Sequence, residues 1–225
     1  MQHRPFPAPR YPASVKVSLA GVPGYFAGEA TNISSTGMFV RTDTAVPIGA
    51  VLSLSLELPQ EDRPVPVHAR VIHVRTPAQA LVRGPRLDPG VGMQFVGDDE
   101  ELRSRIDRYI ESIPRRSNVP SVRLLSMARD LIRKHGWTQL VEVDAGGSYC
   151  LTGALQEAAG DDDALYRRAL RSLGERLGVP ACPMGGFGCH CAVIGWNDRE
   201  GRTGHEVIAK LEEAIRAELL ACAPA

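Results

Sequence analysis

No cysteine occurs before residue 150, no charge of either sign predominates, and no apolar run is long. Each absence excludes something. A formal net charge of +0 argues against binding a nucleic acid polymer, which needs a clustered basic face. A small anion needs only a few placed arginines. The apolar stretches fall short of the ~20 residues that cross a bilayer. Met1 to Pro12 is rich in Pro and Arg and has no apolar signal core. The expectation is a cytoplasmic protein with no membrane insertion. Its five Cys are then thiols or metal ligands rather than disulfides. With 44% hydrophobic and 23% charged residues over 225 positions, the chain has the material of one large globular domain or two small ones.

What is present in the first half reads as strands. Ser14 to Leu19 alternates polar and apolar residues, and Val51 to Leu58 does so with Leu52, Leu54, Leu56 and Leu58 in one phase. Phe26 to Ile33, Met38 to Arg41 and Val91 to Phe95 are further strands. In the stretch from Val65, residues Val65, Val67, Ala69 and Val71 keep one phase before Ile72 and Val74 take the other, which predicts a β-bulge. Six short strands joined by Gly- and Pro-containing connections predict an antiparallel barrel or sandwich. Acidic Asp98 to Glu101 then opens a helix with an apolar stripe of Leu102, Ile106, Ile110 and Ile113, which packs on the barrel or on a partner. Pro114 to Pro120 reads as a linker.

The second half changes to helical spacing. Ser121 to His135, Leu151 to Ala159, Asp163 to Leu177 and Thr203 to Leu220 are predicted helices. Gly136 is a C-cap, Thr203 is an N-cap, and Pro180 to Cys191 is an irregular loop.

The most informative stretch is Asn32-Ile33-Ser34-Ser35-Thr36-Gly37. A carboxamide can both donate to and accept from a purine edge. A hydroxyl two residues on lies on the same side of an extended chain, and glycine permits close backbone approach. The bland alternative is a polar hairpin turn made of residues that turns favour. Around this stretch stand Arg10 upstream, Gly37-Met38-Phe39-Val40-Arg41, then Gly90-Val91-Gly92-Met93-Gln94-Phe95-Val96 and the acidic-capped helix. This succession resembles the PilZ family over about residues 4 to 113.

The resemblance implies an all-β six-stranded antiparallel barrel with a C-terminal helix, here residues 1–114. A linker at 115–121 and a mainly α second domain at 122–221 follow. It also implies a regulatory, non-enzymatic receptor for cyclic di-GMP, bound as a ligand with no cofactor. The family signature is RxxxR followed by (D/N)xSxxG, which puts Arg10, Asn32, Ser34 and Gly37 at the ligand. The pattern departs at Phe6, where the first Arg belongs, and Arg4 is the nearest substitute. Pro5, Pro7 and Pro9 between them favour an extended arm, about 19 Å from Arg4 to Arg10 at polyproline rise. The departure leaves a second reading, a barrel that ignores the nucleotide and serves an unidentified protein partner. Arg41, Arg70, Arg75, Arg83 and Arg86 are candidates for the ligand face or for plain solvated surface.

The C-terminal half resembles a small uncharacterised domain of actinobacterial and phage proteins through GWTQ, CLTGAL and WND…GRT. Two arrangements there carry chemistry of a third kind. Cys182, Cys189, His190 and Cys191 have ligand types suited to zinc, with Cys150, Cys222 or His205 as further candidates. Cys150 at a helix start, with His190 and Asn197 or Asp198, has the members of a thiol catalytic set. The simpler expectation is no metal and no catalysis, with buried thiols acting as small hydrophobes.

Overall fold

A computed structural model describes residues 8–19, 26–83, 88–186 and 189–222. Arg4, Phe6 and Arg86 lie outside the described residues. Strands β1 (Tyr11–Leu19), β2 (Ala27–Ser34), β3 (Gly37–Arg41), β4 (Val51–Glu57), β5 (Val65–Arg75) and β6 (Gly90–Phe95) close into one barrel in the order β1-β2-β3-β6-β5-β4. Every neighbouring pair is antiparallel.

Alternation decides which side chains fill the barrel. Val15 and Val17 of β1, Leu54 and Leu56 of β4, and Val65, Val67, Ala69 and Val71 of β5 all point inward and are buried. The phase change in β5 is a bulge between Val71 and His73. It lets Val74 return to the interior and leaves Ile72 exposed. The extra residue re-aims everything beyond it, so His73 and Arg75 emerge on the outer face. A short helix α1 (Pro77–Arg83), not foreseen from the sequence, follows β5.

Helix α2 (Glu100–Arg115) starts at a carboxylate cap, the Leu102 N–H donating to Asp99 Oδ1 at 3.0 Å. Ile106 of its apolar stripe is buried, and Leu102, Ile110 and Ile113 pack against the barrel core. The stripe therefore serves the barrel itself. The helix runs on through Pro114 to Arg115, into the stretch expected to be linker. The chain divides into two compact units between Ile113 and Pro114.

The second unit is helical: α3 (Pro120–His135), α4 (Leu151–Ala159), α5 (Asp163–Gly174), α6 (His190–Asn197) and α7 (Gly204–Cys222). Pro120 occupies the first turn of α3, where its missing N–H costs nothing. Gly136 ends the helix at φ 97°, and its N–H donates to the Ile132 carbonyl. Leu124, Leu125, Ala128 and Ile132 of α3 form the centre of the core, with Trp196 buried in it and Trp137 packed against it. Thr203 and Glu206 cap α7 reciprocally: the Thr203 N–H donates to Glu206 Oε2 at 2.9 Å and the Glu206 N–H to Thr203 Oγ1 at 3.3 Å. Helix α6 replaces the end of the expected irregular loop. Among the described residues no helix is long and apolar enough to cross a membrane.

Candidate functional site

The polar hairpin joins β2 to β3. Ile33 points into the barrel, so alternation places Asn32 and Ser34 on the outside. Ser34 is nevertheless 1% exposed. Its hydroxyl donates to the Gly37 carbonyl at 3.1 Å and accepts from the Thr36 N–H at 3.4 Å. It closes the turn. Gly37 stands opposite Gln94 of β6, and a Cβ there would lie 2.2 Å from the Met93 carbonyl oxygen. The close approach that needs glycine at this position is that of β6, and positive φ plays no part in it.

Arg10 arrives immediately before β1, whose Pro12 pairs with Asn32. Its Nη1 donates to Asn32 Oδ1 at 2.9 Å. Desolvation lowers the Arg10 pKa from its ordinary value, but a guanidinium remains charged in proteins. Among the described residues nothing accepts from Asn32 Nδ2, so that N–H2 faces outward as a donor. The arginine and the carboxamide thus act as one unit.

Cross-strand register extends this unit around the outer wall. Asn32 pairs with Phe39 on β3, Phe39 with Gly92 on β6, and Gly92 with His73 on β5. Of the outward positions of β6, Gly90 and Gly92 carry no side chain and only Gln94 at the far end does. Arg75 crosses that bare strip from β5 and lies over the Phe39 ring, 4.6 Å from its centroid. Arg75 Nη1 donates to the Asp88 carbonyl at 3.2 Å, while its buried Nε has no partner among the described residues. An unsatisfied buried donor is costly, so this guanidinium has capacity for an acceptor. Arg41 next to it is ion-paired with Glu29 and with Asp88.

Arg70 is exposed on β5 opposite Val51 and Gln94. The structure therefore joins Arg10 to Asn32, keeps Ser34 and Gly37 in the turn, and adds Phe39, Arg75 and His73. Sequence reasoning did not single out Phe39, over which Arg75 lies, or His73, which stands opposite Gly92. The signal for them was the Gly90-x-Gly92 alternation, which bares the strand between them.

In the second unit the candidate thiol catalytic set, Cys150 with His190 and Asn197 or Asp198, does not come together as a catalytic arrangement among the described residues. Cys150 is buried and caps α4, its sulfur accepting from the Gly153 N–H at 3.3 Å. His190 turns its ring to Tyr166, with Nδ1 3.4 Å from the hydroxyl. Burial pushes the Tyr166 phenol up to about 12, with Glu142 and Cys150 adding to the shift.

Asn197, 1% exposed, is a hub. Its Oδ1 accepts from Trp137 Nε1 at 2.8 Å and from the Leu151 N–H at 3.1 Å. Its Nδ2 donates to Asp198 Oδ1 at 2.7 Å and to the Thr138 carbonyl at 3.3 Å. Both lone-pair sites and both protons are engaged, which makes the residue structural. GWTQ, CLTGAL and WND meet here, around a cavity of about 70 Å³ lined by Leu140, Glu142, Cys150, Thr152, Asn197 and Asp198 among others. By contrast, Cys182, Cys189 and Cys191 do converge.

A closed six-stranded barrel, packed on by a single helix and carrying a polar β2–β3 hairpin joined to an arginine arm, defines a small one-barrel domain. Residues 2–112 match the PilZ domain, and this half of the chain is a PilZ domain. Residues 116–217 match a family of unknown function, DUF6197. No curated protein matches the chain.

Among solved structures, the Bacillus subtilis inhibitor of motility (MotI/DgrA) is similar at 18% identity and TM-score 0.36, over 48% of this chain and 49% of that one. Escherichia coli YcgR in complex with c-di-GMP is similar at 13% identity and TM-score 0.37, over 51% of this chain and 47% of that one. The PilZ domain of YcgR with c-di-GMP is similar at 17% identity and TM-score 0.37, over 51% of this chain and 93% of that one. The chain thus spans about half the length of the first two.

Proposed function

We propose that the PilZ domain binds cyclic di-GMP on the outer wall between the Arg10 arm and the bare strip of β6, and that the chain is a regulatory receptor rather than an enzyme. The observation that carries this reading is the 2.9 Å bond from Arg10 to Asn32, which holds a guanidinium beside a carboxamide. The ligand presents two phosphates and two guanines. The remaining N–H groups of Arg10 suit a phosphate oxygen, a charge-assisted pairing. The Asn32 N–H2 suits guanine O6 or N7. Phe39 and Arg75 offer a flat stacking platform, with the glycines of β6 beneath. Arg4, beyond the described residues, would add a second cation if the arm folds back. As an intracellular messenger, the ligand would place the protein in the cytoplasm.

Calorimetric titration of the full chain with cyclic di-GMP tests this reading. Saturable binding in the micromolar range supports it. No heat and no thermal shift with the ligand at roughly 100 μM or above, where affinity would be weaker than about −5.5 kcal/mol, ends it. Ser34, whose hydroxyl is committed to the turn, favours the second reading, a ligand-blind barrel that meets a protein partner. That partner would use a surface other than the α2 stripe, which is packed on the barrel.

A further inference from the structure

We infer that Cys182, Cys189 and Cys191 form a three-thiolate site for a thiophilic d¹⁰ ion, zinc in the first instance. Their sulfur atoms all lie within 4.8 Å of one another, with Cys189 and Cys191 at 2.7 Å. Zinc–sulfur bonds of about 2.3 Å put the sulfurs of a tetrahedral site about 3.8 Å apart. The cluster needs only small side-chain rotations to reach that spacing.

The backbone around the thiols is shaped for them. Cys182 to Gly186 forms a tight turn: the Gly186 N–H donates to the Cys182 carbonyl at 2.7 Å, and the Cys182 N–H returns to the Gly186 carbonyl at 3.2 Å. The turn aims the backbone N–H groups of Met184 and Gly185 at the Cys182 sulfur. Such N–H···S bonds stabilise a thiolate, as outer-shell donors do around metal-bound sulfur. Gly185 suits the approach, since a Cβ there would come within 3.1 Å of Cys189 Cβ and push the two segments slightly apart. Cys189 sits at the N-cap of α6 and Cys191 in its first turn. The ion would therefore tie the Cys182 turn to the start of that helix.

The thiols share protons with one another, Cys189 and Cys191 at 2.7 Å across the start of the helix. An ion would replace those shared protons, each ligand entering as thiolate and releasing one proton to solvent. His190 stands between two ligands in sequence but directs its ring to Tyr166, at 5.1 Å between centroids. The fourth position of a tetrahedral ion then falls to solvent. Among the described residues Cys150, Cys222 and His205 are not part of the cluster.

The test uses the unmutated full chain, kept reduced and stripped by a chelator. Cobalt(II) should bind one per chain with an intense thiolate-to-cobalt charge-transfer band that zinc abolishes. Zinc should slow alkylation of Cys182, Cys189 and Cys191, read by peptide mass spectrometry, by about tenfold or more. Exposed Cys222 should react at an unchanged rate and serves as the internal control. Cys182→Ser and Cys191→Ser should abolish the cobalt band, and Cys150→Ser should keep it. Absence of the band, equal alkylation of the three thiols with and without zinc, or a Cys189–Cys191 disulfide forming in place of metal binding would each overturn the inference.

Discussion

Arg10→Ala is the sharpest perturbation of the ligand face. The side chain is exposed, and its described partner is Asn32 Oδ1 at 2.9 Å. Removing an exposed bond of this kind costs the fold well under about 1 kcal/mol, so the barrel should unfold at the same denaturant concentration. Binding should suffer far more. The variant loses a charge-assisted contact worth about 1.5–3 kcal/mol, and Asn32 loses the group that orients it. At about 1.4 kcal/mol per decade, the dissociation constant for cyclic di-GMP should rise roughly tenfold to a hundredfold in calorimetry at fixed ionic strength. Arg10→Lys keeps the charge but not the planar fork, and should fall between parent and alanine variant. An Arg10→Ala dissociation constant within about twofold of the parent, a difference near 0.4 kcal/mol, would refute the reasoning.

Further outcomes follow from the packing. Gly37→Ala forces a methyl against the Met93 carbonyl, 2.2 Å from its ideal position; it should destabilise the barrel by about 1–3 kcal/mol, read as an earlier circular-dichroism transition. Asn197→Ala strands Trp137 Nε1 and the Leu151 N–H; it should cost the helical unit about 2–4 kcal/mol, read by tryptophan fluorescence, since both Trp lie in that unit. Asn197→Asp should be no better, because it sets a carboxylate against the Thr138 carbonyl and Asp198. Glu218 links α7 to Ser121 of α3 and Ser172 of α5, each at 2.7 Å. Burial alone would raise its pKa, but the bonds from Ser172 and Ser121 outweigh that and the net shift is downward. A carboxyl with a lower pKa folded than unfolded stabilises above the unfolded value, and the stabilisation is lost as pH falls through the folded one. Urea unfolding should show the parent losing more stability than Glu218→Gln between pH 7 and the acid range, and parallel losses would contradict this.

The barrel was legible because its signals are local. Leu54 and Leu56 alternate with polar neighbours in β4, and the phase slip after Val71 announced the bulge before any partner strand was known. Helix α4 began and ended where Cys150 and Gly160 punctuate the sequence. Other features depend on neighbours that no spacing reveals. Helix α6 buries only Val193, Trp196 and Asn197 and has no clear apolar stripe. The hydroxyl of Ser34 could face a ligand or its own turn, and the backbone of β6 against Gly37 settles the role of that hairpin end. Arg75 looked like one solvated arginine among several until the bulge and Gly92 brought it onto Phe39. The thiols of Cys182 and Cys191 lie nine positions apart, and a turn and a helix start unite them.

Amide hydrogen exchange of the full chain, with and without saturating cyclic di-GMP, reads the ligand face directly. Slower exchange should be confined to the segment around Arg10 and Tyr11, to the β2–β3 hairpin from Asn32 to Val40, and to Gly90–Met93 of β6. Protection elsewhere with these segments unchanged, or no protection at all, would contradict the assignment of the outer barrel wall as the binding site.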